Sequence, residues 1–389
     1  MDFLALKPLE NAYLESLGFS WHTNSDLSAY VASDAVVVTD AQAQAYYEAA
    51  NELYDMFVAA AQYVIDNNLF HELGIPFNLV DTIKLSWEND VHWHLYGRFD
   101  FAGGLDGAPI KLLEFNADTP TALLATAVVQ WALLKYNGLD ESRQFNDIYD
   151  ALVANFKRLV TLHGDPGEFE RRYEGWRVLF SSIAGNDEDE MTTKFLQVAC
   201  DEAGFETAFC FADEAQFDDR EGIFYGEQNY EFWFKLIPWE MIATDESELA
   251  MMLQNIIANQ KAIILNPAYT LLFQSKGILK ILWELYPNHP LLLRADTEPL
   301  GIKQVRKPFF GREGANVAIM DTGGNIITEN DGEYANGRVI YQEFAELNAA
   351  KGQRFQAGVF FAYEACGLGF RAGGDIIDNY AKFIGHILK

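Results

Sequence analysis

Two neighbouring stretches decide the fold of this chain: Arg98-Phe99-Asp100 and Leu113-Glu114-Phe115-Asn116-Ala117-Asp118-Thr119-Pro120-Thr121. Polar and apolar residues alternate in both stretches, as they do in β-strands that bury one face. The glycine-rich segment 103–107 between them is typical of a turn. We therefore predict a β-hairpin over residues 91–116, with an aromatic face in the core and a polar face that is free for chemistry.

The polar face of this hairpin is a candidate phosphoryl-transfer site. Arg98 and Asp100 lie two residues apart on the first predicted strand, so they share a face. Glu114 and Asn116 share a face of the second strand in the same way. The oxygens of Asp100, Glu114 and Asn116 suit Mg²⁺, and the charge of Arg98 suits a transferring phosphoryl group. A solvated polar face with one ion pair is the alternative.

A second candidate site is the segment Lys303-Gln304-Val305-Arg306-Lys307-Pro308-Phe309-Phe310-Gly311-Arg312-Glu313-Gly314-Ala315-Asn316. A strand that carries a lysine leads into a loop with Gly311 and Gly314, whose backbone N–H groups can contact a phosphate. A charged hairpin turn is the alternative. The sequence contains neither the P-loop pattern nor the dinucleotide-binding glycine pattern, because the glycines of 367–373 have the wrong spacing.

Basic residues are concentrated around this loop. Eight of the 28 lysines and arginines lie between residues 261 and 312, where an even spread predicts about four. They are Lys261, Lys276, Lys280, Arg294, Lys303, Arg306, Lys307 and Arg312. In so acidic a chain this zone favours a polyphosphate ligand, and a solvated basic face is the alternative.

Two further clusters have both a functional and a structural interpretation. His92 and His94 share a predicted strand face and have the spacing of a metal site, but Trp93 and Leu95 favour ordinary strand packing. The run Asp187-Glu188-Asp189-Glu190 precedes a predicted helix, where acidic side chains stabilise the helix dipole. The functional interpretation of this run is a site for an amine.

The pattern along the chain indicates a mixed α/β protein without low-complexity linkers or repeats. Helices are predicted over 41–68, from Asp118 or Thr119 to Asn137-Gly138, over 144–162 and over 190–203. Strands are predicted over 176–183, 205–211, 262–267, 305–309, 315–320, 339–344 and 357–363, with a further hairpin over 223–237.

The composition disfavours several classes of protein. The 389 residues are 50% hydrophobic, which is enough for a large core, and their net charge of −29 argues against broad binding to nucleic acid or to an anionic membrane. Cys200, Cys210 and Cys366 are too few for a disulfide framework and lack zinc-site spacing. We see no signal peptide and no apolar stretch that could span a bilayer, so a cytoplasmic protein is expected.

The quoted residues together resemble the ATP-grasp synthetase domain of glutathionylspermidine synthase and its stand-alone acid–amine ligase relatives. The matching pieces follow in family order: Arg98-Phe99-Asp100, Leu113 to Thr121, Ser275-Lys276, Arg306 to Asn316, Tyr341-Gln342-Glu343-Phe344 and Gly369-Phe370-Arg371. The resemblance implies an α/β ATP-grasp fold of the glutathione synthetase type, with ATP between two β-layers. It implies one unit over 1–389, with approximate lobes at 1–175, 176–270 and 271–389.

The resemblance also implies roles for individual residues. Lys276 and Lys307 would hold the ATP phosphates, and the loop with Gly311 and Gly314 would close over them. The adenine hinge would be Tyr341, Gln342, Glu343 and Phe344. The Mg²⁺ ligands would be Asp100, Glu114 and Asn116, with Arg98 and Arg371 on the transferring phosphoryl group or the acyl phosphate. The acid would meet Thr119 and Thr121, and the amine would meet Glu188 and Asp189.

The implied activity is ATP-dependent ligation of a carboxylate to an amine through an acyl phosphate, with ATP and Mg²⁺ as cofactors. The implied small-molecule substrates are a peptide-like acid and a polyamine-like amine, and neither nucleic acid nor a membrane is expected as a partner. The amidase domain of the bifunctional synthases is not expected, because the ligase-like region begins near the N-terminus. The alternatives are a non-catalytic ATP-binding regulatory protein of the same fold and a phosphotransferase that uses no amine.

Overall fold

The computed structural model describes residues 1–161 and 177–389. In this part of the chain helices and strands alternate, as expected for a mixed α/β protein. The helices are α1 (Asn11–Ser16), α2 (Asp40–Asp66), α3 (Val80–Glu88), α4 (Gln130–Tyr136), α5 (Ile148–Thr161), α6 (Asp187–Ala203), α7 (Trp239–Asp245), α8 (Ser247–Ala258), α9 (Thr270–Gln274) and α10 (Ile278–Leu285). Leu162 and Trp176, at the ends of a predicted helix and a predicted strand, lie outside the described residues.

The strands of the described residues form five sheets. They are β1 (Asp2–Ala5), β2 (Asp34–Val38), β3 (Gly97–Ala102), β4 (Lys111–Asn116), β5 (Arg177–Ser182), β6 (Glu206–Phe211), β7 (Gln216–Asp218), β8 (Gly222–Tyr225), β9 (Gln228–Tyr230), β10 (Phe232–Lys235), β11 (Ile263–Leu265), β12 (Ala295–Asp296), β13 (Gln304–Pro308), β14 (Ala318–Met320), β15 (Ile326–Glu329), β16 (Val339–Glu343), β17 (Asn348–Ala350), β18 (Gln353–Ala362), β19 (Glu364–Gly373), β20 (Lys382–Ile384) and β21 (His386–Leu388). A 3₁₀ turn (Phe77–Leu79) precedes α3, and a π-helical segment (Ala125–Val129) precedes α4.

The predicted hairpin is confirmed as β3 and β4, at the edge of a sheet with the order β20-β19-β18-β3-β4. Arg98 pairs with Asn116 and Asp100 pairs with Glu114, so all four polar side chains lie on one face. On the opposite face the rings of Phe99 and Phe115 stack with their centroids 3.8 Å apart. The alternation in the sequence therefore separates a core face from a polar face.

Helix α2 covers the aromatic face of this sheet. Its N-terminus has a capping box, in which Thr39 accepts a hydrogen bond from the Gln42 N–H and the Gln42 side chain accepts one from the Thr39 N–H. The ring of Phe57 on this helix lies 5.2 Å from that of Phe115 and is fully buried. Burial of one such ring stabilises the fold by about 2 kcal/mol. The helix predicted over 41–68 is confirmed.

A second, antiparallel sheet has the order β12-β16-β13-β14-β15. It joins the first sheet through two side chains. Lys307 of β13 donates to the Leu113 carbonyl at 3.1 Å, and Gln342 of β16 donates to the Leu112 carbonyl at 3.0 Å. These bonds fix the second sheet against β4 and leave a cleft beside Glu114.

A third sheet, β11-β10-β5-β6, is parallel, and it corrects the hairpin predicted over 223–237. The hairpin there is β8 and β9, whereas Phe232–Lys235 forms β10 and pairs in parallel with β5 and β11. All four residues of β10 are buried. A buried run with three successive aromatic residues is typical of a parallel strand that is covered on both faces, and that feature distinguishes it from a hairpin strand.

Two boundaries near the hairpin differ from the prediction. Residues 91–96 are not in a strand, because the Asn266 side chain accepts from the Leu95 N–H at 2.8 Å and donates to the Tyr96 carbonyl at 3.0 Å. The helix predicted to begin at Asp118 or Thr119 begins at Leu123. In both places a long-range side-chain contact determines the backbone.

Strand β19, which contains Gly367 and Gly369, was not predicted from the sequence. A Cβ atom at Gly367 would lie 2.4 Å from Ile148 Cγ1, and one at Gly369 would lie 2.9 Å from Phe383 Cε2. Glycine is therefore required for close packing within a strand, and it does not mark a turn here.

The sheets connect distant parts of the sequence. Strands β3 and β4, in the lobe expected at 1–175, share a sheet with β18, β19 and β20, which belong to the lobe expected at 271–389. The division into three lobes stays a prediction. Within the described residues, no helix has the length and apolarity needed to cross a membrane.

Candidate active site

The polar face of the hairpin is organised around Arg98, which is only 6% exposed. Its guanidinium donates to both carboxylate oxygens of Asp100, at 2.7 and 2.9 Å. A further N–H of Arg98 donates to the Thr121 carbonyl at 2.6 Å, and the Asn116 amide donates to Asp100 at 3.2 Å. The bidentate ion pair fixes both side chains in one orientation at the cavity wall.

Glu114 lies close to two lysines. Lys307 belongs to β13 of the second sheet, and Lys276 lies between α9 and α10. Lys276 Nζ is 3.0 Å from Glu114 Oε2 and donates to the Gly311 carbonyl at 2.8 Å. Lys307 donates to Gln342 Oε1 at 2.6 Å. Burial raises the pKa of Glu114, but Lys276 and Lys307 outweigh it and lower that pKa to about 2. Glu114 is therefore ionised at every physiological pH.

Lys307 is buried, and this decreases its affinity for a proton. Desolvation lowers the pKa of Lys307 to about 8, while Glu114 acts in the opposite direction. A buried ammonium group whose nearest partners include neutral oxygens is well suited to an anionic ligand. The site therefore has two cations. Lys276 lies beside Glu114, and the charge of Lys307 is incompletely neutralised.

These lysines line an open cleft between the two sheets, which we call the lysine cleft. Its lining includes Glu114, Lys276, Lys307, Gly311, Gly314, Gln342, Glu343 and Phe344. Its apolar walls include Val305, Ile319 and Leu347. Apolar walls together with cations suit an anionic ligand that also has an apolar group, as a nucleotide does.

Of the four predicted hinge residues, Tyr341 does not line the lysine cleft. It pairs with Asp296 and Arg306 inside the second sheet. Gln342 lines the cleft and holds Lys307 in place with its side chain. Gln342 therefore lies on β16, which was predicted to contact a base, and its side chain also positions Lys307, which was predicted to hold phosphates.

The basic zone predicted over 261–312 is only partly in the cleft. Lys276, Lys307 and Arg312 line it. Among the others, Lys303 faces Glu346 at 3.6 Å, Lys280 faces Asp296 at 3.4 Å and Arg306 faces Glu329 at 3.5 Å. The basic residues of 261–312 thus include some that line the cleft and others that form ion pairs outside it.

A second cavity, the arginine cavity, adjoins the lysine cleft. Its lining contains the predicted residues Arg98, Asp100, Asn116, Thr119, Thr121, Glu188 and Arg371. Both cavities are lined by Glu114 and by the loop residues Arg312, Glu313 and Gly314. A ligand in one cavity can therefore reach a ligand in the other beside Glu114.

Glu188 and Asp189 occupy different positions at the N-terminus of α6. Glu188 lines the arginine cavity and accepts from the Ala122 N–H at 2.9 Å. Asp189 belongs to the helix cap, where the Asn186 side chain accepts from its N–H at 3.2 Å. Burial raises the pKa of Glu188, and burial together with Glu188 raises the pKa of Asp189 to about 6. The acidic run thus begins a helix and also supplies one carboxylate to the cavity.

The glycine loop 311–316 packs closely on the segment after β19. Gly314 has φ +69°, and a Cβ there would lie 2.5 Å from the Ile377 carbonyl oxygen. Arg312 forms an ion pair with Glu240 of α7, and Arg371 donates to the Asp378 carbonyl. The loop therefore closes one side of both cavities, at a position where only glycine fits.

Sequence analysis missed a buried ion pair behind Thr119. Lys235 and Asp118 are fully buried and lie 3.0 Å apart, and the second oxygen of Asp118 accepts from the Trp239 N–H at 2.9 Å. Asp118 is therefore not a helix cap, as predicted, but a link between β10 and α7. A lysine within the apolar run Phe232–Leu236 was the available signal, because a buried lysine requires a carboxylate partner.

The structure contradicts a metal site at His92 and His94. The His94 ring stacks on Tyr54 at 5.7 Å and one of its nitrogens lies 3.0 Å from the Ala117 carbonyl oxygen. Burial lowers the pKa of both histidines to about 4. Across residues 1–161 and 177–389 no three His, Cys, Asp or Glu side chains are grouped to hold a metal.

The donor sets nevertheless fit ATP and Mg²⁺. Asp100, Glu114 and Asn116 present oxygens on one face of the hairpin, which is the chemistry of a Mg²⁺ site that is shared with phosphates. The two carboxylates are neutralised here by Arg98 and Lys276, so a cation would replace part of those contacts. Lys276, Lys307 and the glycine loop fit the phosphate groups.

Comparison with curated proteins identifies several relatives. A proposed acid–amine ligase of Haemophilus influenzae is 31% identical over 394 residues, which cover 96% of this chain and 95% of that protein. The bifunctional glutathionylspermidine synthetase/amidase of Escherichia coli is 25% identical, over 91% of this chain and 57% of its own length. Trypanothione synthetase of Crithidia fasciculata is 26% identical, over 84% of this chain and 52% of its own length. The chain thus spans little more than half of the two synthetases.

Among solved structures, a glutathione synthetase-like effector of Globodera pallida matches with a TM-score of 0.56, 11% identity and 98% coverage of both chains. This likeness shows the fold alone, and it confirms the mixed α/β, glutathione synthetase-like class. The family model described as glutathionylspermidine synthase preATP-grasp matches residues 1–389. The chain therefore belongs to the glutathionylspermidine synthase family, whose curated members among these relatives are ligases and synthetases.

Proposed function

We propose that this protein is an ATP-dependent ligase that activates a peptide-like acid as an acyl phosphate and joins it to a polyamine-like amine. The observation that carries the proposal is the contact between the two cavities at Glu114. One cavity has lysines and apolar walls, and the other has arginines and carboxylates. This arrangement suits a phosphoryl group that passes from a nucleotide to a second substrate.

ATP would lie in the lysine cleft between the two sheets. Lys276 and Lys307 would bind its phosphates in place of their present oxygen partners, and Gly311 and Gly314 would let the loop backbone approach them. The base would lie against the apolar walls beside Glu343 and Phe344. Asp100, Glu114 and Asn116 would hold Mg²⁺, which would supply charge neutralisation for the phosphates when bound.

The chemistry would take place beside Arg98. A carboxylate oxygen of the acid forms a bond to the γ-phosphorus, the bond to the ADP oxygen breaks, and ADP leaves. The amine nitrogen then bonds to the acyl carbon, the carbon–oxygen bond to phosphate breaks, and the released phosphate takes the proton lost from nitrogen. Arg98 and Arg371 would stabilise the charge on the transferring group, so catalysis would rest on positioning and electrostatics.

The arginine cavity would bind the acid near Thr119 and Thr121 and the amine near Glu188, with Asp189 adding negative charge behind it. The printed names of the synthetase relatives, which combine glutathione and spermidine, support a peptide-like acid and a polyamine-like amine. The net charge of −29 supports a cationic amine and gives no support for a nucleic-acid partner. Three free cysteines support a reducing, cytoplasmic location.

The test is ADP release by the purified protein with MgATP, across a panel of peptides and amines. Mass spectrometry of the reaction should show one product whose mass equals acid plus amine minus water. A phosphorylated product would indicate a phosphotransferase instead. ATP binding without turnover for every pair would contradict the ligase and favour the regulatory alternative.

A further inference from the structure

One wall of the arginine cavity comes from the N-terminal segment 19–33, which no motif in the sequence marks. Tyr30 of this segment lines the cavity together with Arg98, Glu188 and Arg371. The residue is 9% exposed. Across residues 1–161 and 177–389 no protein group forms a hydrogen bond with the Tyr30 hydroxyl. A nearly buried phenol that faces charged groups without a protein partner is a position for a ligand contact.

The backbone around Tyr30 is firmly held. Its N–H donates to the His22 carbonyl at 2.9 Å, and its carbonyl accepts from the Phe383 N–H of β20 at 2.8 Å. The Ala32 N–H donates to the Phe383 carbonyl at 2.8 Å. The ring of Tyr30 packs on that of the fully buried Phe19, with centroids 5.8 Å apart. The phenol is therefore positioned before any substrate binds.

The same segment is attached to the helix that carries Glu188. Ser20 Oγ donates to Asp187 Oδ2 at 2.6 Å, at the first residue of α6. Gly18, with φ +82°, packs so closely that a Cβ would lie 2.4 Å from Met191 Cε. Tyr30 and Glu188 therefore have a fixed relation to each other, although they are far apart in the sequence.

The surroundings of the phenol also determine its protonation. Burial, and then the charge of Glu188, raise the pKa of Tyr30 above its ordinary value, while Arg371 and Arg98 act in the opposite direction. The hydroxyl stays protonated at physiological pH, so its oxygen can accept one hydrogen bond while its proton is donated to another group. The neutral hydroxyl of Tyr30 thus lies close enough to Glu188, Arg98 and Arg371 to interact with their charges.

We propose that Tyr30 is a substrate-contacting residue that aligns the attacking amine with the acyl phosphate. Its oxygen accepts an N–H of the amine held by Glu188, and its O–H donates to a phosphoryl oxygen held by Arg98 and Arg371. The two contacts orient the nitrogen toward the acyl carbon while the acyl–oxygen bond breaks and phosphate leaves with the amine proton. This inference rests on the proposed ligase function.

The experiment compares Tyr30→Phe with the wild type and with Tyr46→Phe. The control, Tyr46, is another buried tyrosine, but its hydroxyl donates to the Gly103 carbonyl in the core at 2.6 Å. The probes are MgATP and glutathione, with either spermidine or hydroxylamine as the nucleophile, or the pair that the panel identifies. Hydroxylamine is a small nucleophile that traps an acyl phosphate without needing to be aligned.

Tyr30→Phe should lower the rate of amide formation with the polyamine at least tenfold and that of hydroxamate formation less than threefold, because a lost hydrogen bond to reacting groups has about this effect. Tyr46→Phe should lower the melting temperature and leave the ratio of the two rates unchanged. An unchanged ratio in Tyr30→Phe with an active wild type would overturn the role of Tyr30 and leave the ligase proposal standing. No product from the wild type with any pair would overturn both.

Discussion

The lysine cleft and the arginine cavity adjoin each other, but they are built in different ways. Strands β4, β13 and β16 of two sheets and the glycine loop line the lysine cleft, and its lysines are held by Glu114, Gln342 and the Gly311 carbonyl. The arginine cavity takes its wall residues from segments that lie far apart in the sequence, among them Tyr30, Glu188 and Arg371. Under the proposed function, phosphate binding would depend on lysines that direct contacts hold in place, whereas the selection of acid and amine would depend on how distant segments pack.

The largest effect of a substitution is expected at Arg98, which lines the arginine cavity and is proposed to stabilise the transferring phosphoryl group. Arg98→Ala should lower turnover about a thousandfold and change the ATP dissociation constant less than about threefold, because the charge acts on the transferring group. Arg306→Ala is the matched control, since Arg306 lies on the second sheet and faces Glu329. Steady-state rates and calorimetric titration with ATP measure the two quantities.

The variant also leaves Asp100 buried without its partner, so a lower melting temperature is expected in Arg98→Ala. An equal loss of turnover and ATP affinity would place Arg98 in the nucleotide site and would contradict the separation of the two cavities.

The next largest effect concerns Lys307 and tests the lysine cleft alone. The pKa of Lys307 is lowered to about 8, first by burial. Below that pH the lysine is charged, and above it ATP binding must include uptake of a proton. ATP affinity should therefore fall as pH rises from 8 to 10, by up to about tenfold per pH unit. Fluorescence or calorimetric titrations at constant ionic strength measure this dependence.

Lys307→Met provides the control for this dependence. Its ATP affinity should be about a hundredfold weaker at pH 7 and should lack the fall above pH 8. Lys280→Met should behave like the wild type, because Lys280 pairs with Glu284 and Asp296 and does not line the lysine cleft. A pH profile that persists in Lys307→Met would assign the titration to another group.

A smaller effect is expected at Glu188, which belongs only to the arginine cavity. Glu188→Gln should raise the KM for the amine about tenfold and leave the KM values for ATP and the acid unchanged, because a cation loses its carboxylate. Glu190→Gln is a control in the same helical turn, where Glu190 pairs with Lys194. The KM for the amine is measured from rates with the amine as the varied substrate. An altered KM for ATP would contradict the assignment of Glu188 to the amine site.

The smallest effect is expected where the glycine loop joins both cavities. Gly314→Ala should lower kcat several-fold, since a Cβ there would meet the Ile377 carbonyl, and the loop must then shift. Gly324→Ala introduces a similar positive-φ strain at φ +82° with no atom within 4 Å. Gly324→Ala should lose about 1 kcal/mol of stability from backbone strain, and Gly314→Ala should lose more because its Cβ also meets a backbone carbonyl. Equal activity of the two variants would show that loop closure does not depend on this contact.

The comparison of the two cavities also shows how much could be predicted from the sequence. Arg98, Asp100, Glu114 and Asn116 could be placed on one face because the alternation and the turn glycines of one hairpin are local information. Gly311 and Gly314 were recognisable for the same reason, since loop and lysine are adjacent in the chain. In both cavities, therefore, the residues that a local pattern places could be predicted.

The errors occur where a distant side chain determines the local structure. Asp118 was predicted as a helix cap, but its partner is Lys235. Phe232–Lys235 was assigned to a hairpin, but it is the second strand of a parallel sheet. Tyr30 was not identified, because its contact with the arginine cavity depends on β20 and α6, and no pattern in the segment 19–33 indicates either.

The most direct test of the account is to follow an oxygen atom of the acid. The acid identified by the panel, labelled with ¹⁸O in its carboxylate, is incubated with MgATP, the amine and the protein, and the released phosphate is analysed by mass spectrometry. We predict one ¹⁸O atom in phosphate for each amide formed, because the acyl phosphate transfers that oxygen to phosphorus. Amide formation with unlabelled phosphate, or ADP release with no amide, would contradict the central claim.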